Sequence, residues 1–495
     1  MNSGMPINTR HARENGIQVK RNRRLKNNLG EDIMDTSYKK SEYNLFLDTD
    51  DQYYLLYNTR SGAFAAVPSK IKNTIEKILS CPDASTDQEI KKELINGGFI
   101  IEESINELKT IRERHENRKL RKDIMGLVLM PSETCNFRCP YCFIYDYRGF
   151  NMQKWVYEAV LNLIKRSIVP DLTLHLEWFG GEPTLTHKDN VKFMKELNAL
   201  GKENKFRKIY YLMLTNAYLL TSERFKEYLD LGLDTYQITL DGAKERHDKT
   251  RFLANGKGTY DVIWQNLLNI QKLPNDFKIL IRNNFLKEDE EECYKFMQVF
   301  KDAFGTDKRF RVYFYPIWNT ETKRNTICEF ANGIHPFEDG RLKGMEYDFS
   351  ISKRLELLSD RKFSVTSLPY PRNIFCGAQV SNFWIVGADG LLFKCDTFVG
   401  NKDYACARLN KDGTIEEFKN AKEWDFSGYK SNDQKCLQCK LLPLCQGGCK
   451  AFEKRTGSGC FYTPDLIYTN MLNAHKFLSN QYNSFQRVSQ QQIAV

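Results

Sequence analysis

Between Ile124 and Pro316 short apolar runs alternate with stretches whose apolar residues recur at helical spacing, and nothing else in this 495-residue chain restricts its fold as much. The runs are 124–130, 172–179, 208–215, 235–240, 277–283 and 310–315. Trp155 to Ile168 and Lys287 to Phe304 are amphipathic segments between them. Strand and helix in alternation build right-handed βαβ units on a parallel sheet. Six units are fewer than the eight that close a full barrel, so the expected class is α/β with a partial (β/α)6 TIM-like barrel. In such sheets ligands gather at the carboxyl ends of the strands, which makes the residues after each run the candidates for chemistry.

The first run is followed by Thr134-Cys135-Asn136-Phe137-Arg138-Cys139-Pro140-Tyr141-Cys142. Zinc sites and ordinary ferredoxin clusters draw on four protein ligands, and here the local supply stops at three, Cys135, Cys139 and Cys142. A cluster held by three thiolates keeps one iron free for another ligand. The second run ends in Phe179-Gly180-Gly181-Glu182-Pro183, where two glycines allow close backbone approach and a carboxylate can accept bonds from an ammonium. Thr215-Asn216, Thr239-Leu240-Asp241-Gly242 and Arg282-Asn283-Asn284 end the next three. Taken singly, Asn216 and Thr239 are equally well explained as helix caps, and half a zinc site or three unrelated core cysteines is the lesser alternative for the triplet.

Together the triplet and the GGEP motif resemble the radical SAM superfamily. The resemblance implies that Cys135, Cys139 and Cys142 hold a 4Fe-4S cluster whose free iron chelates the amino and carboxylate groups of S-adenosylmethionine (SAM). It implies that Gly180, Gly181 and Glu182 lie at the methionyl amine and that Asn216 faces the same molecule. Thr239 takes a position near the SAM carboxylate, and Arg251, within His247-Asp248-Lys249-Thr250-Arg251, supplies the countercharge; a planar guanidinium suits a carboxylate. Tyr141 either contacts adenine or packs.

Fourteen cysteines in a chain with no visible signal-peptide core argue for metal or redox work over disulfides. Eight fall between Cys376 and Cys460, among them Cys436-x2-Cys439-x5-Cys445-x3-Cys449, with Gly390-Leu391-Leu392-Phe393-Lys394-Cys395 ahead of that group. A zinc ribbon would use four and leave others unexplained. The spacing resembles the seven-cysteine SPASM pattern of radical SAM enzymes that act on peptides. That likeness implies two auxiliary 4Fe-4S clusters, the outer on Cys436, Cys439, Cys445 and Cys460 and the inner on Cys376, Cys395 and Cys449. The chain departs from the pattern at the inner cluster's fourth ligand, which leaves Cys406 or an open iron. In anaerobic sulfatase-maturating enzymes an aspartate after the corresponding cysteine is the proposed base, which singles out Asp396; a helix cap or turn residue is the plainer alternative.

Upstream, Tyr43 to Leu47, Tyr53 to Tyr57 and Ala63 to Val67 read as strands. Helices follow from Pro68 and after Thr86, then Phe99 to Ile101 and a charged helix from Glu102 to about Arg118. This winged-helix-like plan resembles the peptide-recognition domains of enzymes that modify ribosomally made peptides; inert scaffolding is the alternative. Nucleic acid is disfavoured, because Ser85 to Ile95 carries Asp87, Glu89 and Glu93 against Lys91 and Lys92. The formal charge of +10 is concentrated in an N-terminal arm, where Arg10, Arg13, Lys20, Arg21, Arg23, Arg24 and Lys26 face only Glu14. No run reaches the ~18 apolar residues of a membrane span, so a cytoplasmic protein without a membrane partner is expected.

The expected organisation is a basic disordered arm (1–40), a winged-helix-like domain (41–120), the partial barrel (121–320), a bridging region (321–370), the auxiliary-cluster domain (371–470) and a C-terminal helix and tail (471–495). The expected activity is reductive cleavage of SAM, fed by a donor such as flavodoxin or ferredoxin, and hydrogen abstraction from a precursor peptide to install a thioether or carbon–carbon crosslink. Two alternatives stand beside it: a sulfatase-type maturase oxidising Cys or Ser to formylglycine, and an iron–sulfur redox sensor that binds DNA.

Overall fold

A computed structural model describes residues 37–142, 144, 149–286, 289–317, 368–419, 421, 430, 433–451, 453, 459–460 and 462–476. Nearly all of the basic arm and the bridging region, and the end of the tail, lie outside the described residues. The chain divides into two compact units: Met1–Arg118 with Phe363–Cys376 and Gly428–Val495, and Lys119–Lys362 with Gly377–Ser427.

The first unit contains β1 (Tyr38–Lys40), β2 (Asn44–Asp48), β3 (Tyr53–Asn58), β4 (Phe64–Pro68), α1 (Lys72–Ser80), α2 (Gln88–Asn96), β5 (Ile100–Glu102) and α3 (Glu107–Lys119). β2, β3 and β4 form an antiparallel sheet in that order, and β1 pairs with β5. β1 is an element that the sequence reading places inside the basic arm. Alternation along β3 feeds two cores. Tyr54 and Leu56 pack with Ile75, Ile78, Leu79 and Leu94 of the helices, while Leu55 and Tyr57 pack with Leu441, Leu444, Ile467 and Met471 from the C-terminal segment. The block covers the apolar side of the segment that carries five of the SPASM-like cysteines, Cys436, Cys439, Cys445, Cys449 and Cys460.

Asn58 ties this unit together. Its buried Nδ2 donates to Ser41 Oγ (3.0 Å), Asn44 Oδ1 (2.8 Å) and the Gly98 carbonyl (3.0 Å), and its Oδ1 accepts the Arg60 and Ser61 amides (3.0 and 2.8 Å). Truncation would leave several buried polar groups without partners, each costing on the order of 1–3 kcal/mol. Asn58→Ala is accordingly expected to lower the first unit's stability by about 2–4 kcal/mol, read as a lower urea midpoint in amide exchange of β2 to β4 and an unchanged one in the second unit.

The second unit is built on a ten-stranded mixed sheet. Its parallel strands are β6 (Ile124–Ser132), β7 (Thr173–Gly180), β8 (Lys208–Thr215), β9 (Thr235–Thr239), β10 (Lys278–Phe285) and β11 (Phe310–Pro316). Between them run α4 (Lys154–Arg166), α5 (His187–Glu203), α6 (Ser222–Asp230), α7 (Lys244–Thr250), α8 (Tyr260–Gln271) and α9 (Glu290–Phe304). All six runs become strands, within two residues of the expected limits. Sequential order with right-handed crossovers sets the helices on one face. Leu174, Leu176 and Trp178 of β7 enter that core, with Trp178 edge-on to Phe193 of α5 at 5.7 Å. His175, Glu177 and Phe179 take the opposite face.

The sheet does not close. Beyond β6 it continues through β12 (Phe383–Val386), parallel to β6, and then through antiparallel β13 (Leu391–Phe393), β14 (Ala407–Leu409) and β15 (Ile415–Glu417). The region that the sequence suggests as one domain, 371–470, is thus split between units. Phe383–Val386 and Leu391–Phe393 are almost wholly apolar and mostly buried, and they gain cover and ladder partners by extending the β6 edge.

Candidate functional site

The loop after β6 brings the triplet against the end of β7 through backbone alone. The Gly181 amide donates to the Ser132 carbonyl (2.9 Å) and the Glu182 amide to that of Thr134 (2.9 Å). A Cβ on Gly181 would stand 1.9 Å from the Thr134 oxygen, and one on Gly180, whose φ is +112°, 2.8 Å from the Ser132 oxygen. The two glycines are thus required first by the cysteine loop. Within that loop the Phe137 amide points at Cys135 Sγ (3.4 Å), and Cys139 and Cys142 are joined by a backbone turn (3.2 Å).

Glu182 is buried and ringed by donors. Its Oε1 accepts the Thr184 amide (3.0 Å), the Thr184 hydroxyl and the Thr215 hydroxyl (2.6 Å), and its Oε2 the Asn216 amide (2.8 Å). Burial pushes its carboxyl above the usual range although these bonds pull the other way. One acceptor position on Oε2 remains for an ammonium. Asn216 spends Oδ1 on the Tyr218 amide (3.0 Å), as a turn residue would, and points Nδ2 at Asn136 Oδ1 (2.8 Å) and toward Cys135 Sγ (3.9 Å).

Asp241, just past β9, centres the other half of the site. Its Oδ2 accepts the Tyr141 hydroxyl and Thr250 Oγ1 (3.0 Å), and its Oδ1 the Asn284 side chain (3.0 Å). Tyr141 in turn accepts from Arg251 (3.0 Å) and Asn284 (3.2 Å). Burial would push Asp241 up, but Arg251 and Arg246 hold it below the carboxylate range, so it stays an anion. His247, whose Nδ1 accepts the Asp241 amide (3.2 Å), is pushed down to about 3 by burial and Arg251 and is neutral. The Tyr141 ring packs on Leu286 and Ile317. With Arg246 and Thr250 these line a cavity of about 320 Å³ beside Pro140. Thr239 ends β9, half-buried and paired in register with Arg282.

The residues suit the groups their motifs imply. Burial pushes the Cys135 thiol well up and that of Cys139 to about 12, with the neighbouring cysteines adding to both, so thiolates here call for bound positive charge. Among the described residues no three Cys, His, Asp or Glu converge on one point. Arg251 Nε and Asn136 Nδ2 are buried without a partner, two donors left over beside the loop.

The other sequence candidates fall as follows. Cys436, Cys439, Cys445 and Cys460 all belong to the first unit, with Cys436 and Cys445 on the short helices Gln434–Leu437 and Leu442–Cys445. Cys376 and Cys449 belong to the first unit and Cys395 to the second. Cys406 is buried at the start of β14, its amide bonded to Leu392 and its carbonyl to Phe418. Asp396 opens a short helical turn after Cys395, with Oδ1 3.7 Å from its sulfur. Sequence reasoning missed Asp241 as the hub, although it lies inside a quoted motif, and missed Glu177, the one charge in the run 172–179.

Glu177 is buried, and desolvation reinforced by Asp396 pushes it up to about 8. The other titratable groups on this face nearby are His175 on its own strand and Tyr210 on β8, stacked at 4.9 Å; Gly126, Val128 and Met130 of β6 bring none.

Residues 129–299 match the Radical SAM superfamily. The chain is 25% identical over 352 residues to a cysteine-type anaerobic sulfatase-maturating enzyme of Clostridium novyi, covering 66% of this chain and 88% of the relative. It is 24% identical over 501 residues to the radical SAM cyclopropyl synthase TigE of Paramaledivibacter caminithermalis, covering 90% and 96%. The fold is like that of native anSMEcpe with bound AdoMet, with a TM-score of 0.52 at 20% identity over 73% of this chain and all of that one. This chain is a radical SAM superfamily enzyme, and its relatives are maturases and cyclases.

Two outcomes follow from the geometry. Gly181→Ala drives Cβ into backbone that cannot yield without moving the triplet; after anaerobic reconstitution its iron content should equal that of a Cys135→Ala, Cys139→Ala, Cys142→Ala triple variant and fall below that of the native protein. Glu177 keeps its proton in the folded state to about pH 8, whereas unfolded it ionises near 4.3. It therefore costs stability as pH rises through that window. Glu177→Gln should raise the thermal midpoint, little at pH 5 and by the equivalent of about 1–3 kcal/mol at pH 8.

Proposed function

We propose that this enzyme modifies a ribosomally made precursor peptide, abstracting hydrogen from one residue to install a thioether or carbon–carbon crosslink. The observation that carries the reading is extent: likeness to a cyclopropyl synthase runs over 90% of the chain. A shorter stretch is 31% identical to a PqqA peptide cyclase of Bradyrhizobium diazoefficiens, over 24% of this chain. A structure of native anSMEcpe holds both AdoMet and the Cp18Cys peptide, at a TM-score of 0.50. The bound cluster and SAM would supply a 5'-deoxyadenosyl radical, chemistry that no side chain performs.

The chain's own residues do the binding and the exclusion. Cys135, Cys139 and Cys142 hold the cluster, and Asn136 and Asn216 position the first of these sulfurs. Glu182 takes the methionyl ammonium at its free Oε2 position, with Gly180 and Gly181 keeping the backbone close. Arg251, whose Nε has no partner, and Thr239 at the end of β9 would take the carboxylate. Tyr141, Leu286 and Ile317 enclose the adenine in the cavity they line. The SPASM-like cysteines would hold two auxiliary clusters as assigned above, and Asp396 would take the proton lost when the substrate radical is oxidised. A flavodoxin or ferredoxin would deliver the electron.

A second reading, oxidation of a Cys or Ser to formylglycine, is favoured by the sulfatase-maturating relative, which aligns over 66% of the chain. In the peptide reading β2, β3 and β4 also receive a leader segment along a free strand edge, where main-chain bonds give affinity. Because the same sheet covers Leu441 and Leu444, removing residues 40–120 would disturb the cysteine-bearing segment as well as recognition.

The test is anaerobic reconstitution with a small peptide encoded beside the gene. Native enzyme, reductant and SAM should yield 5'-deoxyadenosine and a peptide lighter by two hydrogens per crosslink, and the triple Cys→Ala variant neither. A product carrying a formylglycine aldehyde supports the second reading, and 5'-deoxyadenosine from the triple variant overturns both.

A further inference from the structure

We propose that Glu177 anchors a subsite for a cation on the helix-free face of the sheet, taking an ammonium or guanidinium group from the substrate; this rests on the peptide reading above. Glu177 sits in the middle of β7, in phase with His175 and Phe179 and out of phase with the core residues Leu176 and Trp178. It is 7% exposed, and among the described residues its carboxylate has no hydrogen bond and no ion pair. Burying an unpaired carboxyl costs several kcal/mol, and an apolar side chain would fill the position without that cost. The charge is thus unexplained by the folded chain alone.

The surroundings specify the occupant. The loop after β13 brings Asp396 near enough to raise Glu177 further, so two acids share this region. On the same face β6 contributes Gly126, Val128 and Met130 and β8 contributes Leu212 and Leu214, none of them cationic. Lys208, at the exposed start of β8, lies over the Tyr210 ring and pairs with Thr173, four residues down the strand from Glu177. His175 stacks on Tyr210. Across the sheet Arg282 lies over Tyr315 at 4.0 Å and donates to Asn284. None of these supplies Glu177 with a counter-ion. A neutral group would leave Glu177 a buried carboxyl without a charge partner, and a cation supplies one.

The test pans an mRNA-displayed library of random dodecapeptides against the reconstituted, SAM-loaded native enzyme and against Glu177→Gln, an isostere without the charge. Peptides retained by the native enzyme should share a Lys or Arg. Replacing that residue in a recovered peptide with norleucine should weaken binding to native enzyme about tenfold or more, and binding to Glu177→Gln less than twofold. Glu177→Asp, which keeps the charge but withdraws it, should fall between and guards against a misfolded Gln variant; circular dichroism and iron content are read for all three. Equal losses with native enzyme and Glu177→Gln, or retained peptides with no shared cation, overturn the subsite and leave the peptide reading standing. Retention of no peptide by the native enzyme removes both.

Discussion

Two backbone hydrogen bonds, Gly181 to Ser132 and Glu182 to Thr134, set the distance between the cysteine loop and the end of β7. A Cβ on residue 181 would stand 1.9 Å from the Thr134 oxygen and one on residue 180 2.8 Å from the Ser132 oxygen, so either would force the bonded backbone to shift. With the clamp in place, Glu182 lies under the loop, and its donors Thr215 and Asn216 carry the constraint to β8. Asn216 then turns back to Asn136, between the first two cysteines. A closed circuit of short contacts thus runs from β6 to β7 to β8 and returns to β6. The glycines act on the site chiefly by permitting this approach.

The parallel part of the fold was legible because its information is local. Each strand is one apolar run and each helix one periodic stretch, and sequential order with right-handed crossovers leaves little choice of topology. The continuation from β12 to β15 was not legible, for the opposite reason. Its strands are three or four residues long, and β12 pairs with β6 across more than 250 residues of sequence, a register that no periodicity records. The first unit presents the same problem: nothing in Tyr53–Asn58 announces that one of its faces meets Leu441 and Ile467. The clustered polar motifs at the strand ends were visible, but the hydrogen bonds that rank Asp241 above its neighbours depend on loops that meet only in three dimensions.

Glu177 illustrates a further limit. A charged residue in an apolar run reads as a blemish in a buried strand, and periodicity alone does not say which face it takes. The structure gives the face, since Leu176 and Trp178 on either side belong to the helix-packed core. The signal was therefore present as a conflict between a local pattern and one residue, and natural sequences concentrate such conflicts at functional positions.

The electrostatics around Asp241 bear on what kind of molecule the site can accept. Arg246 is paired with Asp289 at 2.6 Å, and Arg251 reaches Asp241 through Tyr141, so two buried cations are already matched by two anions. A ligand with net charge would unbalance that set in a region where charge is poorly screened, at a cost that rises as the dielectric falls. An amino acid moiety brings a carboxylate and an ammonium together and adds no net charge. In the reading proposed above, its carboxylate would meet the unpartnered Nε of Arg251 and its ammonium the remaining acceptor position of Glu182. The neutral state of His247 belongs to the same balance: a third cation beside Arg246 and Arg251 would draw Asp241 away from Tyr141, and burial keeps that ring uncharged.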